Sequence, residues 1–387
     1  NHLSTKGLST PECIADKTGN LVSEYVDENG HKRVVRLLSW MDGELWSSVN
    51  PITNKLLLGL GKMAGQLTGA LQDFDHPHAR KELEWDIANA LWCKQKLNLH
   101  SEKDQAVLTM FLDRFDAYQG DYLKLRKSIV HSDVNDNNIV VSSDPFDREV
   151  TSIIDFGDAV YTQTINDLGI LLAYVVMDKE DPLNAAMEAT KGYHAVFPLL
   201  EAELDELYTL IAMRLTITVT KAAMNKIAEP ENDYHQISAN SAWNALRRWK
   251  HVNPDFARYS FRKSCGFEAV PGSFEINKCS VSSLFSTLSI DGVKPVDMSV
   301  SSKWLGHESE YTNIDLTEFK LAQLQKEYFN HLIYGGYLEV RPFYSTESYD
   351  LQGNNGAEYR SNHLGVDFWV PARTPVHLPF DGEVVIC

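Results

Sequence analysis

Two short acidic motifs, each joined to an apolar run, constrain this chain more than any other feature. The first, His131-Ser132-Asp133-Val134-Asn135-Asp136-Asn137-Asn138, runs straight into Ile139-Val140-Val141. The second, Asp155-Phe156-Gly157-Asp158, is delivered by Val150-Thr151-Ser152-Ile153-Ile154. Short β-branched runs make rigid strands, so both motifs are expected at strand ends of one sheet region. An aspartate, an asparagine five residues on, and a second aspartate in a Phe-Gly turn form the set that phosphoryl transfer asks for. That reaction needs little covalent help, and its catalysis is mostly positioning and neutralisation of charge on phosphate oxygens. Mg²⁺ keeps several waters and takes one or two carboxylates plus phosphate oxygens, which a loop and a strand end can supply. The plainer reading is a pair of Asp/Asn turns whose side chains bond to local backbone. Two motifs in the right order, each tied to a strand-like run, outweigh it.

His131-x-Asp133-(four residues)-Asn138, followed by Ile154-Asp155-Phe156-Gly157-Asp158, resembles the aminoglycoside phosphotransferase and choline kinase family, which shares the protein-kinase-like fold. The resemblance implies Asp133 as catalytic base, Asn138 and Asp155 as Mg²⁺ ligands, His131 as a structural organiser of the loop, and ATP or GTP as phosphoryl donor. The family carries a further acidic residue at the start of the next helix. Asp167 in Asp167-Leu168-Gly169 fits that place, as a brace for the catalytic loop. Arg36-Leu37-Leu38-Ser39-Trp40 and Phe261-Arg262-Lys263-Ser264-Cys265-Gly266 look similar to hydroxylysine kinases. The implied acceptor is a small amino alcohol of the hydroxylysine or ethanolamine type, with an aminoglycoside as the alternative.

Earlier in the chain, residues 22 to 26 and 33 to 39 read as strands joined by the hairpin signal Asp27-Glu28-Asn29-Gly30. Leu38 to Gly43, with Trp40 and Met41, is the candidate hinge whose backbone would meet the nucleotide base. Kinase-like folds place a Gly-rich loop, a phosphate-binding lysine and its glutamate partner before the hinge. The roughly forty residues here contain no such set, so residues 1 to 43 are expected to be the remnant of a truncated small lobe. Gly59-Leu60-Gly61-Lys62-Met63-Ala64-Gly65 lies in a helical pattern (Leu56, Leu60, Met63, Leu67, Leu71) with no strand before it and no Ser or Thr after the lysine. Close helix packing explains it better than a phosphate loop.

Residues 44 to 270 are expected to form a helical large lobe. The periodicity gives three helical segments between 53 and 127, then helices at 167–176 and 182–197, one or two more over 201–227, a mixed segment over 229–249 and a terminal helix within 252–270. Trp85, Asp86, Arg214 and Tyr234 are candidates for gripping the acceptor, although aromatic and Arg residues at helical spacing usually pack and pair. Arg214 is the substrate residue preferred among them. It sets a charge inside the apolar stretch Ala212-Met213-Arg214-Leu215, and a buried charge needs a partner.

The balance of 53 acidic against 36 basic residues, net charge −17, argues against nucleic acid as a partner. No run of eighteen apolar residues offers a transmembrane helix, so no membrane partner is expected. Five scattered cysteines without Cys-x-x-Cys point to a reducing, cytoplasmic location. Asn1-His2-Leu3-Ser4 has neither an initiator Met nor a signal peptide's apolar core, which reads as a fragment or a processed chain.

Past Pro271 the character changes. Residues 271 to 335 read as a Ser-rich linker carrying an amphipathic helix over Leu316 to Leu332. In residues 336 to 387, His363 and Asp367 stand four apart on a strand-like run, where side chains share a face and both could meet one Zn²⁺. With Pro371 to Val376 and Phe380-Asp381-Gly382-Glu383-Val384-Val385, this stretch resembles the beginning of the M23 (lysostaphin-type) peptidase fold. That family completes its site with a His-x-His strand not found before Cys387. Zn²⁺ is therefore expected only if the domain is completed in a longer parent protein. The expected fold class is α+β: a protein-kinase-like fold with truncated small lobe and helical large lobe, then a partial all-β M23-like domain. The combination resembles bacterial fusions that end in a class III, pyridoxal-phosphate-dependent aminotransferase-like domain. A zinc metallopeptidase fragment with a non-catalytic kinase module is the alternative from another class.

Overall fold

In the computed structural model, which describes residues 2–231, 238–268, 280–344, 347–354 and 356–378, the β-branched runs beside the acidic motifs form two antiparallel ladders. The chain divides into two units at residue 271. In the first, α1 (His2–Thr5) leads to β1 (Cys13–Ile14), β2 (Ser23–Val26), β3 (Lys32–Val35), β4 (Leu37–Leu38) and β5 (Glu44–Leu45). The β2–β3 hairpin forms where the turn signal places it. Asp27 Oδ1 accepts from the N–H groups of Asn29 and His31 at 3.0 and 2.9 Å, the local bonding that makes Asp a turn former. β1 pairs with β4.

The ladders that matter for chemistry come next: β6 (Lys127–Val130), β7 (Ile139–Val141), β8 (Val150–Ile153) and β9 (Val160–Gln163). β5, β7 and β8 make one antiparallel sheet, and β6 pairs with β9. Gly43, at φ +147°, lets the chain enter β5 against Val140 and Val141, where a Cβ would collide with the Val141 carbonyl.

Helices supply the rest: α2 (Asn54–Leu71), a 3-10 run over Ile87–Leu99, α3 (Glu102–Tyr122), α4 (Asn166–Val175), α5 (Pro182–His194), α6 (Glu201–Ala228), α7 (Ala239–Trp249) and α8 (Pro254–Ser264). Their starts are written locally. Thr53, Ser101 and Asn253 cap α2, α3 and α8 with side-chain oxygens on N-terminal N–H groups, and Pro182 and Pro254 sit at the first helical turn. α6 is the buried axis, apolar on most sides from Leu204 to Val219, and α3, α4, α7, α8 and the 3-10 run pack on it. The second of the three helical segments expected before residue 127 is thus 3-10 rather than α, and α3 stops at Tyr122 so that Lys127 can open β6.

The glycine run of α2 is a helix-packing surface. A Cβ on Gly61 would strike the Ala189 carbonyl, and one on Gly192 of α5 would strike the Leu58 carbonyl, so the two backbones meet with no side chain between them. Gly192→Ala is expected to lower stability in urea denaturation by up to about 2 kcal/mol net. The overpacking cost of about 1–3 kcal/mol exceeds the roughly 1 kcal/mol that alanine returns as helix propensity. A stabilised variant would show that the backbones are not in contact.

The second unit holds α9 (Val281–Leu284), β10 (Gly292–Val296), α10 (Glu308–Tyr311), α11 (Ile314–Glu327), β11 (His331–Gly335), β12 (Asp350–Gly353), β13 (Gly356–Tyr359) and β14 (Phe368–Trp369). β10 and β11 are parallel, β14 adds antiparallel to β11, and β12 pairs with β13. The segment expected as a linker therefore carries two strands, β10 and β11, paired with each other. Val296, Met298 and Leu305 from it form a small core with Ile333, which is reason enough for order despite the serines. The amphipathic helix ends at Glu327, because His331 to Gly335 pairs with β10. Residues 380 to 385 lie outside the described residues. Among the described residues no helix is long and apolar enough to cross a membrane.

Candidate active site

The two acidic motifs meet because the ladders end at the same place. Ile139 pairs with Ile153, so Asn138 just before β7 and Asp155 just after β8 are neighbours, joined by the Ile154 N–H donating to the Asn138 carbonyl at 2.9 Å. Val130 pairs with Val160, which brings the start of the first motif's loop to the end of the second's in the same way. His131 ties the motifs together. Its Nδ1 accepts from Asp133 N–H at 3.2 Å, which places the ring proton on Nε2 for the Ile154 carbonyl at 3.0 Å, and its ring packs on Phe156 at 4.6 Å.

Asp167, buried in the first turn of α4, accepts from the backbone N–H of His131 at 2.9 Å and of Ser132 at 2.7 Å. Burial pushes its carboxyl up from the ordinary carboxylate range, opposed by His131 and these two donors. Ser132 and Asp155 adopt φ of 68° and 65°, a left-handed conformation that costs a non-glycine residue on the order of 1–3 kcal/mol and persists only where its surroundings enforce it. The Asp167 bond to Ser132 N–H is one such constraint. Asp155 Oδ1, accepting from Gly157 N–H at 3.2 Å, is the other.

Asp133 is held by three donors. Arg214 Nη2 donates to Oδ1 at 2.6 Å, and the amides of Asn135 and Asn138 donate to Oδ2 at 2.9 and 3.0 Å. Arg214 is 2% exposed and also donates to the Trp85 carbonyl and Tyr174 hydroxyl, both at 3.4 Å. Burial works against its charge, but Tyr174 and Asp133 more than offset this and hold its pKa above the usual range. The partner that a buried charge requires is thus Asp133. Arg214, expected to grip substrate, holds the Asp133 carboxylate while lining the same cavity.

That cavity, about 230 Å³, is lined by Asp133, Asp136 and Asp158 at one end and by Trp85, Tyr174 and one face of α6. Burial raises the carboxyl pKa of Asp136, and likewise that of Asp158, where the Asp133 charge adds to it and Lys81 and Arg214 oppose it. Trp85 lies at the wall, whereas Asp86 is a buried cap that accepts from Ala88 N–H, Thr162 and Asn166. Tyr234 lies outside the described residues. Trp40 and Met41 occupy the connection between β4 and β5, Trp40 being 85% exposed. The motif roles leave out four residues that line the cavity: Asn135, Asp136, Asp158 and, on α6, Lys221. Lys221 stands seven residues after Arg214, a helical-face spacing that was legible in the sequence.

Asn138 uses its amide nitrogen for both bonds to Asp133, so its amide oxygen takes no part in them. One amide oxygen and one carboxylate are hard donors that fit Mg²⁺ completed by phosphate oxygens and water. Among the described residues no group of three His, Cys, Asp or Glu side chains converges as a cage, and a metal held largely by phosphates needs none.

In the second unit His363 and Asp367 do approach, Nε2 to Oδ2 at 3.4 Å, from the loop before β14 rather than from a strand. Arg341, 3% exposed, takes the same Oδ2 at 2.6 Å and also binds Glu339, while Tyr344 Oη pairs with His363 Nδ1 at 3.0 Å. A guanidinium on the would-be ligand, and no third ligand among the described residues, do not fit a catalytic zinc.

A family model described as phosphotransferase enzyme family matches residues 1–205. Hydroxylysine kinase of Danio rerio is 27% identical over 282 residues, covering 70% of this chain and 79% of that protein. Homoserine kinase of Rhizobium rhizogenes is 25% identical over 212 residues, covering 54% and 62%. Among solved structures, a microcompartment-associated aminopropanol kinase superposes with a TM-score of 0.48 at 17% identity, over 70% of this chain and 82% of that one.

Proposed function

The chain belongs to the phosphotransferase enzyme family, and from that premise we propose that it moves the γ-phosphoryl group of ATP or GTP to the hydroxyl of a small amino alcohol of the hydroxylysine or ethanolamine type. The observation that carries this reading is the carboxylate of Asp133, fixed through both oxygens by Arg214, Asn135 and Asn138 at the end of a cavity of acceptor size. Asp133 orients the acceptor hydroxyl and takes its proton as the phosphorus–oxygen bond forms. His131 and Asp167 hold the loop still during that step, so positioning is built before substrate arrives. Asn138 and Asp155 would hold Mg²⁺, whose part is to neutralise charge on the phosphate oxygens. Asp136 and Asp158 give the acceptor's ammonium an acidic neighbourhood. The same acidic lining would also suit an aminoglycoside, the second acceptor class.

The test is a coupled nucleoside-diphosphate assay with a panel of amino alcohols and aminoglycosides, each with ATP and GTP. An amino alcohol is expected to be the best acceptor, and EDTA should abolish turnover until Mg²⁺ is restored. Turnover that survives chelation would sink the metal assignment, and exclusive use of aminoglycosides would sink the acceptor class. For the C-terminal unit we propose an M23-like β fold without catalytic zinc, on the motif and on the Arg341 contact with Asp367.

A further inference from the structure

The cavity beside Asp133 has a second charged end. α6 lines it with Arg214, Thr218, Lys221, Ala222 and Asn225, which repeat at the spacing of one helix face. Arg214 grips Asp133 at the reacting end. Lys221 stands two turns further, roughly 10 Å along the axis at 1.5 Å per residue. Its ammonium lies 5.2 Å from the Trp85 ring centroid and pairs with Glu84. The Lys221 side chain is 16% exposed and that of Glu84 is 52% exposed, so the acidic member of this pair stands largely in water. Pairs of that kind contribute little, and an ammonium has three donors to share. An acceptor with no anion would leave this sheltered cation to Glu84 and Trp85 alone, and a polycationic acceptor would meet it as a like charge.

Resting on the phosphotransferase reading above, we propose that the acceptor is a zwitterion whose hydroxyl meets Asp133, whose amine lies by Asp136 and Asp158, and whose carboxylate docks on Lys221 beside Trp85. Lys221 is then the residue that selects carboxylate-bearing acceptors, and the length of α6 between it and Arg214 sets how far the carboxylate lies from the hydroxyl. The probes are 5-hydroxylysine and its methyl ester, which differ in the carboxylate charge, titrated calorimetrically into the full chain.

The wild type is expected to bind the acid about 10–100-fold tighter than the ester, the range of one charge-assisted contact. Lys221→Met keeps the apolar stem and should collapse that ratio to within about threefold, with Lys221→Arg restoring most of it. A wild type that binds both probes alike, or neither, overturns the proposal, as does a Lys221→Met variant that keeps the ratio. Phosphate transfer is followed in parallel. Selective binding of the acid through Lys221 without transfer would overturn the phosphotransferase reading and leave the carboxylate receptor standing.

Discussion

Replacing Asp133 with asparagine is expected to lower kcat for phosphotransfer about 10²–10⁴-fold, the usual contribution of a positioned proton acceptor. Asparagine keeps the size of the side chain and one acceptor oxygen, so the acceptor can still enter, and KM should move far less than kcat. The variant has a second effect that must be separated from the first. Arg214, 2% exposed, loses its anionic partner at 2.6 Å. Breaking a fully buried ion pair costs about 3–5 kcal/mol. The loss here should be smaller, because the Asp133 side chain is 23% exposed and the guanidinium keeps the Trp85 carbonyl and Tyr174 hydroxyl. Adding Arg214→Met to Asp133→Asn removes the orphaned charge. The double variant should regain stability by thermal denaturation while remaining as slow as the single one. A single variant of undiminished kcat would show that Asp133 is not the group that handles the proton.

The largest stability effect is expected at Asp167. Its two oxygens accept the backbone N–H groups of His131 and Ser132, and no solvent reaches a residue 1% exposed. Asp167→Ala would strand both donors, and each buried unsatisfied group costs about 1–3 kcal/mol, so a loss of roughly 2–6 kcal/mol is expected in urea denaturation. Asp167→Asn, with one oxygen able to accept, should fall in between. Amide exchange at Ser132 should accelerate with the same rank order, since that residue's left-handed backbone depends on the bond. A loss under about 1 kcal/mol in the alanine variant would mean that the loop is held by something other than this carboxylate.

Much of this site was legible because its parts are local. His131, Asp133 and Asn138 are within one loop, Asp155 is one turn away at a strand end, and β-branched runs announce the strands behind them. Most helices were legible by apolar period, α7 (Ala239–Trp249) and the 3-10 form of Ile87–Leu99 excepted, and the α2 glycines by their place inside that period. Arg214 was singled out by its apolar surroundings, yet its partner Asp133 lies eighty-one residues earlier in the chain, a pairing that no local pattern encodes. The wall around it is invisible for the same reason, since Asp136, Asp158 and Tyr174 meet this face of α6 only in the folded chain. β10 was hidden by composition: serines surround it and Pro295 interrupts it, while its order comes from pairing with β11 and from the core around Ile333.

One helix, α6, carries both the anchor of the Asp133 carboxylate and a wall of the cavity proposed for the acceptor. It therefore acts as a ruler with coarse graduations. After Lys221, the cavity-facing positions are Ala222 and Asn225, so a cation moved to Asn225 would shift the reading by about 6 Å, with only the short side chain of Ala222 facing the cavity between them. Acceptor length in relatives built on this helix should change by whole turns, through exchange of single side chains, rather than by gradual stretching of the pocket.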